Sequence, residues 1–246
     1  MSFEGQTAVV TGGTRGLGRA VSLDLAAHGC RVLAIYKSDE SAARALLTEN
    51  SRFDGRISTE KVDVADYDEV RAFWERAESG VQGGVQILVH ASGIRRDRVV
   101  AMMTREEWRE VLSTNLDGSF HMAKYATLHM LSRRYGRIVL VTSPAREHGF
   151  EGQGNYSASK AGQVGLARSL ARETASRGIT VNCVSPGFID TELLADLDPE
   201  TRKKHVASVP LKRFGRAEEV AFAVRMLVSR EASYVTGSVL DVSGGL

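Results

Sequence analysis

Apolar positions along the chain fall into two alternating patterns. Beside 56–62, a more polar candidate strand, runs of five to seven residues, QTAVVT (6–11), RVLAIY (31–36), QILVH (86–90), RIVLVTS (137–143), ITVNCVS (179–185) and 238–242, are nearly continuous in apolar or β-branched side chains. They are too short for helices and have no polar side, so they predict strands buried on both faces. Between them, apolar residues recur at three- and four-residue spacing: Leu17, Ala20, Val21, Leu25 and Ala26 within 16–29, then 39–50, then Val70, Phe73, Trp74 and Ala77 within 67–78, and finally 217–228. These are amphipathic helices. Strand and helix alternating over residues 1–246, with no repeat, low-complexity tract or linker, predict one α/β domain.

Residues 104–132 predict a long helix whose buried stripe runs through Trp108, Val111, Leu112, Met122, Ala123, Ala126 and Met130. Asn115 and Ser119 fall on the same stripe. A buried asparagine needs partners, so Asn115 is either tied to neighbouring backbone or orders water near a site. Residues 188–210 are less regular, follow a strand end where ligands bind in open α/β sheets, and make a candidate lid.

The first strand runs into Gly12, Thr14, Arg15, Gly16, Leu17 and Gly18. Glycine lets the backbone turn tightly and approach a pyrophosphate, and the following helix offers free N–H groups to an anion. At the end of the second strand, where NAD-binding proteins carry an acid for the ribose hydroxyls, the chain has Tyr36, Lys37 and Ser38. Lys37 with Arg15 suits a 2′-phosphate, favouring NADP(H). The rival is Asp39 or Glu40 as a ribose clamp, although both also suit the start of the second helix. Asp63, with Val64 at the third strand's end, suits either an adenine amino group or a helix cap.

Tyr156 and Lys160 are four apart at the head of a helical segment, so they leave one face together, and Ser143 ends the preceding strand. An ammonium beside a phenol favours the phenolate and so tunes the phenol for proton transfer. The three groups suit chemistry on one carbonyl.

Composition adds limits. With 25% charged and 43% hydrophobic residues and a net charge of +2, nothing favours nucleic acid or an anionic membrane as partner. Arg95, Arg96 and Arg98 read as a solvated face, with docking of an acidic partner as the rival. Cys30 and Cys183 are expected to be buried thiols in a reducing compartment. The basic-plus-apolar start of a signal peptide is missing, as is any uncharged apolar run of ~18 residues, so a cytoplasmic protein is expected. No metal is expected, since His and Cys never cluster at ligand spacing, and no G-x-S-x-G elbow of a serine hydrolase occurs.

The glycine turn, Asp63, Asn115, Ser143, Tyr156 and Lys160, together with NYSASKAG, GITVNCVSPGFIDTE, PLKRFGRAEEVA and YVTGSVLDVSGG, resemble the short-chain dehydrogenase/reductase family over the whole chain. The likeness is greatest to bacterial 3-oxoacyl-acyl-carrier-protein reductases. The resemblance implies a Rossmann-type doubly wound domain with a seven-stranded parallel sheet, helices on both faces, and a homotetramer. It implies Tyr156 as general acid, Lys160 lowering the phenol's pKa and holding the nicotinamide ribose, Ser143 bonding the carbonyl oxygen and Asn115 ordering a relay water. It adds Ala91, Gly93, Pro186, Gly187, Ile189 and Thr191 to the cofactor contacts, and Arg134 and Arg177 as docking points for an acyl carrier protein. The small residues Ala158, Ala161, Gly162 and Gly165 leave one helix face thin enough for assembly.

Two positions depart from the family pattern. His90 replaces an asparagine that steadies the central sheet, and its imidazole is expected to take over those hydrogen bonds. Pro144 removes an N–H beside Ser143. The expected activity is NADPH-dependent reduction of a 3-oxoacyl thioester, carrier- or coenzyme-A-linked. Open alternatives are a ketoreductase of secondary metabolism, a dehydrogenase of a small alcohol, sugar or steroid, and a catalytically silent NADPH-binding regulator.

Overall fold

A computed structural model describes residues 1–81, 83–192 and 198–246. Strand and helix alternate as β1 (Thr7–Thr11), α1 (Gly16–Ala27), β2 (Arg31–Tyr36), α2 (Glu40–Glu49), β3 (Ile57–Lys61), α3 (Tyr67–Gly80) and β4 (Ile87–His90). There follow α4 (Arg105–Leu112), α5 (Gly118–Arg133), β5 (Gly136–Val141), α6 (Ala145–His148), α7 (Gly154–Thr174) and β6 (Ile179–Pro186). The chain then forms β7 (Ile189–Asp190), α8 (Pro199–Ser208), β8 (Gly215–Arg216), α9 (Ala217–Val228) and β9 (Val239–Val242).

Seven strands form one parallel sheet in the order β3-β2-β1-β4-β5-β6-β9, as the resemblance implied. Successive strand residues point to opposite faces, and this divides the core in two. Val9, Leu88, Ile138 and Leu140 join Phe73 and Trp74 of α3, Met122 and Met130 of α5 and Ala167 of α7. Their neighbours Ala8, Val10, Val89 and Val139 join Leu25 of α1, Leu46 of α2 and Val224 of α9 on the other face. Both faces are dry, which accounts for the unbroken apolar runs. Between β1 and β4 the order reverses, and the crevice above their C-terminal ends is where such sheets bind ligands.

The long helix expected over 104–132 is interrupted. A single π-helical turn, Ser113–Asp117, separates α4 from α5 and carries Asn115. Across it the stripe rotates, so Trp108 is exposed rather than buried, whereas Val111, Met122, Ala123, Ala126 and Met130 are buried as expected. The candidate lid is also more regular than anticipated. It contains β7 and α8, and Phe188 stacks against His205 of α8 at 4.2 Å, while Arg202 of α8 pairs with Asp190 at 3.0 Å. Positions 193–197 of that segment lie outside the described residues.

Cys30 and Cys183 are buried free thiols, and burial pushes both up to about 12. Among the described residues no helix is long and apolar enough to cross a membrane. Nor do three or more His, Cys, Asp or Glu side chains gather where they could hold a metal ion.

Phe73 is fully buried against Trp74. Phe73→Ala should lower unfolding stability by about 3–5 kcal/mol, because the space it leaves cannot close. A urea midpoint shifted down at unchanged slope would show this, and an unmoved midpoint would count against the packing described.

Candidate active site

The glycine turn is built where the main chain passes itself. Gly12 and Gly16 have φ of +59° and +51°, in the left-handed region. A Cβ on Gly18 would stand 2.1 Å from the Gly12 carbonyl oxygen, so only glycine lets α1 start this close to the turn. Arg15 at the N-cap contributes no capping side chain, and the first turn of α1 holds no acid. The helix's leading N–H groups are therefore left for an anion, and the residues present fit a dinucleotide's phosphates.

At the switch point, a cavity of ≈ 180 Å³ is lined by Leu17, Ala91, Gly93, Tyr156, Lys160, Pro186, Gly187, Ile189 and Thr191, all read from the sequence, and by Ile94, Arg95, Val141 and Phe188 among others. Lys37 and Asp63 border a second hollow of ≈ 410 Å³ with Lys61, Glu69 and Arg76. The two are paired, Lys37 Nζ lying 2.7 Å from Asp63 Oδ2. Helix capping falls to other acids: Asp66 caps α3, and Asp39 caps α2 by accepting the Ala42 N–H at 2.9 Å. Asp39 is thereby held below the usual carboxylate range, first by that N–H and then by the Ser41 hydroxyl. Ser38 is exposed beside Lys37, and Val64 is buried in the core.

Lys160 is almost wholly buried. Its ammonium donates to the Val141 carbonyl at 2.7 Å, and its own carbonyl accepts from Thr142 Oγ1 at 2.8 Å, so the end of β5 grips it from two directions. Burial lowers its pKa to about 8, which leaves it mostly charged at neutral pH. The ammonium lies 5.6 Å from the centre of the Tyr156 ring.

Burial pushes the Tyr156 phenol above its ordinary range, whereas the Ser143 hydroxyl and then Arg95 pull it down. The spacing and the resemblance both give such a pull to Lys160, whose ammonium donates to Val141 and lies beside the Tyr156 ring, and Arg95, on the wall of the same cavity, is a further cation that lowers the phenol. The solvated face expected of Arg95, Arg96 and Arg98 holds for only two of them. Arg96 and Arg98 are exposed and pair with Glu110 and Glu107, whereas Arg95 lines the cavity.

Asn115 is fully buried and makes the backbone tie that is one of its two expected roles. Oδ1 accepts the Ile94 N–H at 2.8 Å, and Nδ2 donates to the Ile94 carbonyl at 3.1 Å and to Ser159 Oγ at 3.1 Å. Its backbone carbonyl accepts from Ser119 Oγ at 2.5 Å and Gln163 Nε2 at 3.1 Å, which gives the polar residues on this stripe a reason. The asparagine side chain and Lys160 Nζ converge over Gly93, each 3.4 Å from where a Cβ would sit.

Arg146 is a site residue that the sequence does not announce. Its side chain is 5% exposed and donates to the Ser143 carbonyl at 3.2 Å, to Ser185 Oγ and to Asp241 Oδ1 at 3.0 Å, joining the ends of β5, β6 and β9 beneath Ser143. No periodicity marks it, since all its partners in this network but Ser143 are about 40 or more residues away. Pro144 begins the turn into α6 with φ −56°, a value proline prefers, and the Ala145 N–H donates to Ser143 Oγ at 3.2 Å.

Arg134 and Arg177 are exposed neighbours, linked through Arg134 Nη2 to the Ser176 carbonyl at 2.9 Å. They immediately precede β5 and β6, at the opposite edge of the sheet from the cavity. Within one chain they do not border the site. Of the thin helix face, Ala158, Ala161 and Gly165 are exposed, while Gly162 is taken up inside the chain, where a Cβ would meet Leu116 at 2.9 Å.

A phenol, a buried cation and a strand-end hydroxyl, set with a glycine turn at the sheet's switch point, suit a dinucleotide-dependent oxidoreductase. A profile of the family described as enoyl-(acyl carrier protein) reductase matches residues 12–246. The 3-oxoacyl-[acyl-carrier-protein] reductase FabG of Escherichia coli (strain K12) is 41% identical over 246 residues, covering 100% of this chain and 99% of that protein. The proteins of the same description from Salmonella typhimurium and Staphylococcus aureus (strain N315) are 42% and 39% identical, covering 100% and 98% of this chain and 99% and 98% of theirs. The chain belongs to the short-chain dehydrogenase/reductase family, and a nicotinamide dinucleotide is its cofactor.

His90 takes over only part of its expected bonding. Thr11 Oγ1 accepts the N–H groups of Ala91 and Ser92 at 3.0 and 2.9 Å, so its proton goes to His90 Nδ1 at 3.2 Å. Nε2 then carries the ring's hydrogen and, among the described residues, has no partner. Burial first, then Lys160, lowers this imidazole from 6.5 to about 3. The unfolded chain therefore binds a proton that the folded chain refuses between those values. Stability should be full above about 6.5 and decline as the pH falls toward about 3, with a slope approaching ~1.4 kcal/mol per pH unit from this residue. In His90→Asn, acid unfolding should lose that component, and an unchanged pH dependence would refute the assignment.

Proposed function

We propose that this chain reduces the ketone of 3-oxoacyl thioesters to the 3-hydroxyl, using NADPH, with Tyr156 as proton donor, in the cytoplasm and as a homotetramer. The observation that carries this is the placement of Tyr156 and the buried Lys160 on the wall of one cavity, with the Ser143 hydroxyl, just past the end of β5, acting on the phenol. Two donors on one acceptor suit a carbonyl oxygen that gains negative charge as its carbon is reduced. In an enoyl thioester, the group reduced by the enzymes after which the family profile is described, the oxygen that gains charge is that of the thioester, so the choice of the ketone rests on the relatives. The named relatives reduce 3-oxoacyl groups, which agrees with this choice.

The bound nicotinamide supplies hydride to the ketone carbon. Ser143 Oγ orients the ketone oxygen, and the Tyr156 O–H bond breaks as its proton passes to that oxygen. Burial above the ordinary phenol range keeps Tyr156 protonated at neutral pH, as a reductase requires. Lys160, fixed by Val141, holds a positive charge where the nicotinamide ribose and the phenolate left behind both benefit. Asn115 keeps the backbone at Ile94 in place above Gly93. A thioester carbonyl two carbons away lies outside the reach of both hydroxyls and is left intact.

For NADPH, support comes from Arg15 and Lys37, two exposed cations at the adenosine end, and from the engagement of Asp39 as a helix cap. A 2′-phosphate on Lys37 would compete with Asp63. An acyl carrier protein bound at Arg134 and Arg177 would serve the cavity of a neighbouring copy, since these residues lie on the far edge of the sheet. The exposed Ala158, Ala161 and Gly165 allow copies to approach closely along α7. The part of 188–210 that is described, with Phe188 on the cavity wall, supports its role as a substrate lid.

The purified protein should oxidise NADPH in the presence of acetoacetyl thioesters, faster than NADH, and Tyr156→Phe should lose about 10²–10⁴-fold in turnover while still binding NADPH. No oxidation of NADPH with acyl substrates of several lengths would refute the proposal. A Tyr156→Phe protein that retained full turnover would refute the role of the phenol.

A further inference from the structure

Residues 94–98 form a short strap whose Ile94 and Arg95 line the cavity, and it is tied down on both sides. From one side Asn115 holds both the N–H and the carbonyl of Ile94. On the other, Asn155 Nδ2 donates to the Arg96 carbonyl at 3.0 Å, the Arg98 N–H donates to the Gly152 carbonyl at 2.7 Å, and Gln153 Nε2 donates to Asp97 Oδ2 at 3.2 Å. The Arg98–Gly152 bond joins the strap directly to the turn that leads into α7. Gln153 is the residue at which α7 begins, and Tyr156 stands in that helix's first turn. Hydrogen bonds thus tie the strap to the head of the helix that carries Tyr156. Of the strap's three arginines, Arg95 lines the cavity with Tyr156, and Asp97 grips it through both Nε and Nη2.

We propose that Arg95 is a second cation serving the proton donor, a positioning residue that acts through the Tyr156 phenol, with Asp97 as its counterweight. This rests on the reading of Tyr156 as proton donor. The charged and titratable groups around the phenol, among the described residues, are Lys160 on its own helix, Ser143 at the end of β5 and the Arg95–Asp97 pair on the strap, with His90 behind Lys160. Lys160 Nζ is held on the Val141 carbonyl, 5.6 Å from the centre of the Tyr156 ring, and Arg95 shares the cavity wall with that ring as an additional cation. A positive charge there favours the phenolate, and the carboxylate of Asp97 opposes it. Arg95's pull is the larger of the two. Both groups are about one-third exposed, so the effect is moderated by solvent rather than abolished.

The two members of the pair therefore make opposite predictions, whereas a strap with only a structural role makes the same prediction for both. The test is the pH dependence of kcat/KM for ketone reduction, whose alkaline limb reports loss of the phenol's proton. Arg95→Gln, or Arg95→Thr if the first does not fold, should move that limb to higher pH. Asp97→Asn should move it to lower pH, and Arg95→Lys should leave it near the native position. Titration of Tyr156 by NMR in protein labelled with ζ-¹³C-tyrosine, its signal assigned by its loss in Tyr156→Phe, should show the same opposite displacements without any substrate. If the protein proves not to reduce 3-oxoacyl thioesters, this second readout still decides the point. Displacement in one common direction, or none, would overturn the proposal.

Discussion

The site depends on a buried ammonium. Lys160 has almost no contact with solvent, and a charge in such a place survives only where fixed dipoles replace water. The Val141 carbonyl does this from the last residue of β5, and Thr142, the next residue, binds the lysine's own backbone. The same two bonds fix α7 against the C-terminal edge of the sheet. Tyr156 is one helical turn away, so its position follows from the lysine's. Ser143 comes one residue after Thr142, so its position follows too. The geometry of three functional groups is in this way reduced to one contact between a strand end and a helix.

A layer of buried polar side chains supports that contact. Asn115, Ser119, Ser159 and Gln163 bond to one another and to the backbone between the π turn and α7. Such a network is stable only when nearly every member is satisfied, and it then holds its elements in one arrangement. The exceptions are few. Gln163 Oε1 and His90 Nε2 are without partners among the described residues, and His90 remains neutral as a result of its burial. On the opposite side of Ser143, Arg146 joins three strand ends through Ser143, Ser185 and Asp241. The two networks thus fix α7 and the strand ends, the parts of the fold that carry Tyr156 and lead to Ser143.

The electrostatics at the two ends of the cleft differ in kind. At the catalytic end the cations are buried or half-buried and each has a defined partner. At the end of the cleft near β2, Lys37 and Arg15 are exposed, and Lys37 is in direct contact with Asp63 at the surface. An exposed pair of this kind contributes little to stability, so it can be rearranged around an anion at small cost. The cleft is thus closely hydrogen-bonded around Lys160 and only loosely paired at Lys37.

What the sequence determined by itself is what local backbone geometry controls. Continuous apolar runs marked the strands because both sheet faces are covered, and the three- and four-residue spacing marked the helices. Glycines at 12, 16 and 18 marked a turn with no room for side chains, and Tyr156 and Lys160 had to share a helix face. Tertiary structure decided what depends on residues far apart in the chain. The π turn at Asn115, and with it the exposure of Trp108, arises where the helix meets Ile94 and α7. Arg95 was indistinguishable from Arg96 and Arg98 until the fold of the strap placed it in the cavity lining. Arg146 gained its role from Ser185 and Asp241, about 40 and 95 residues away. Arg134 and Arg177 were separated from the cavity by the length of the strands they precede. In each case spacing specifies which side of an element a residue occupies, and only packing specifies what stands opposite it.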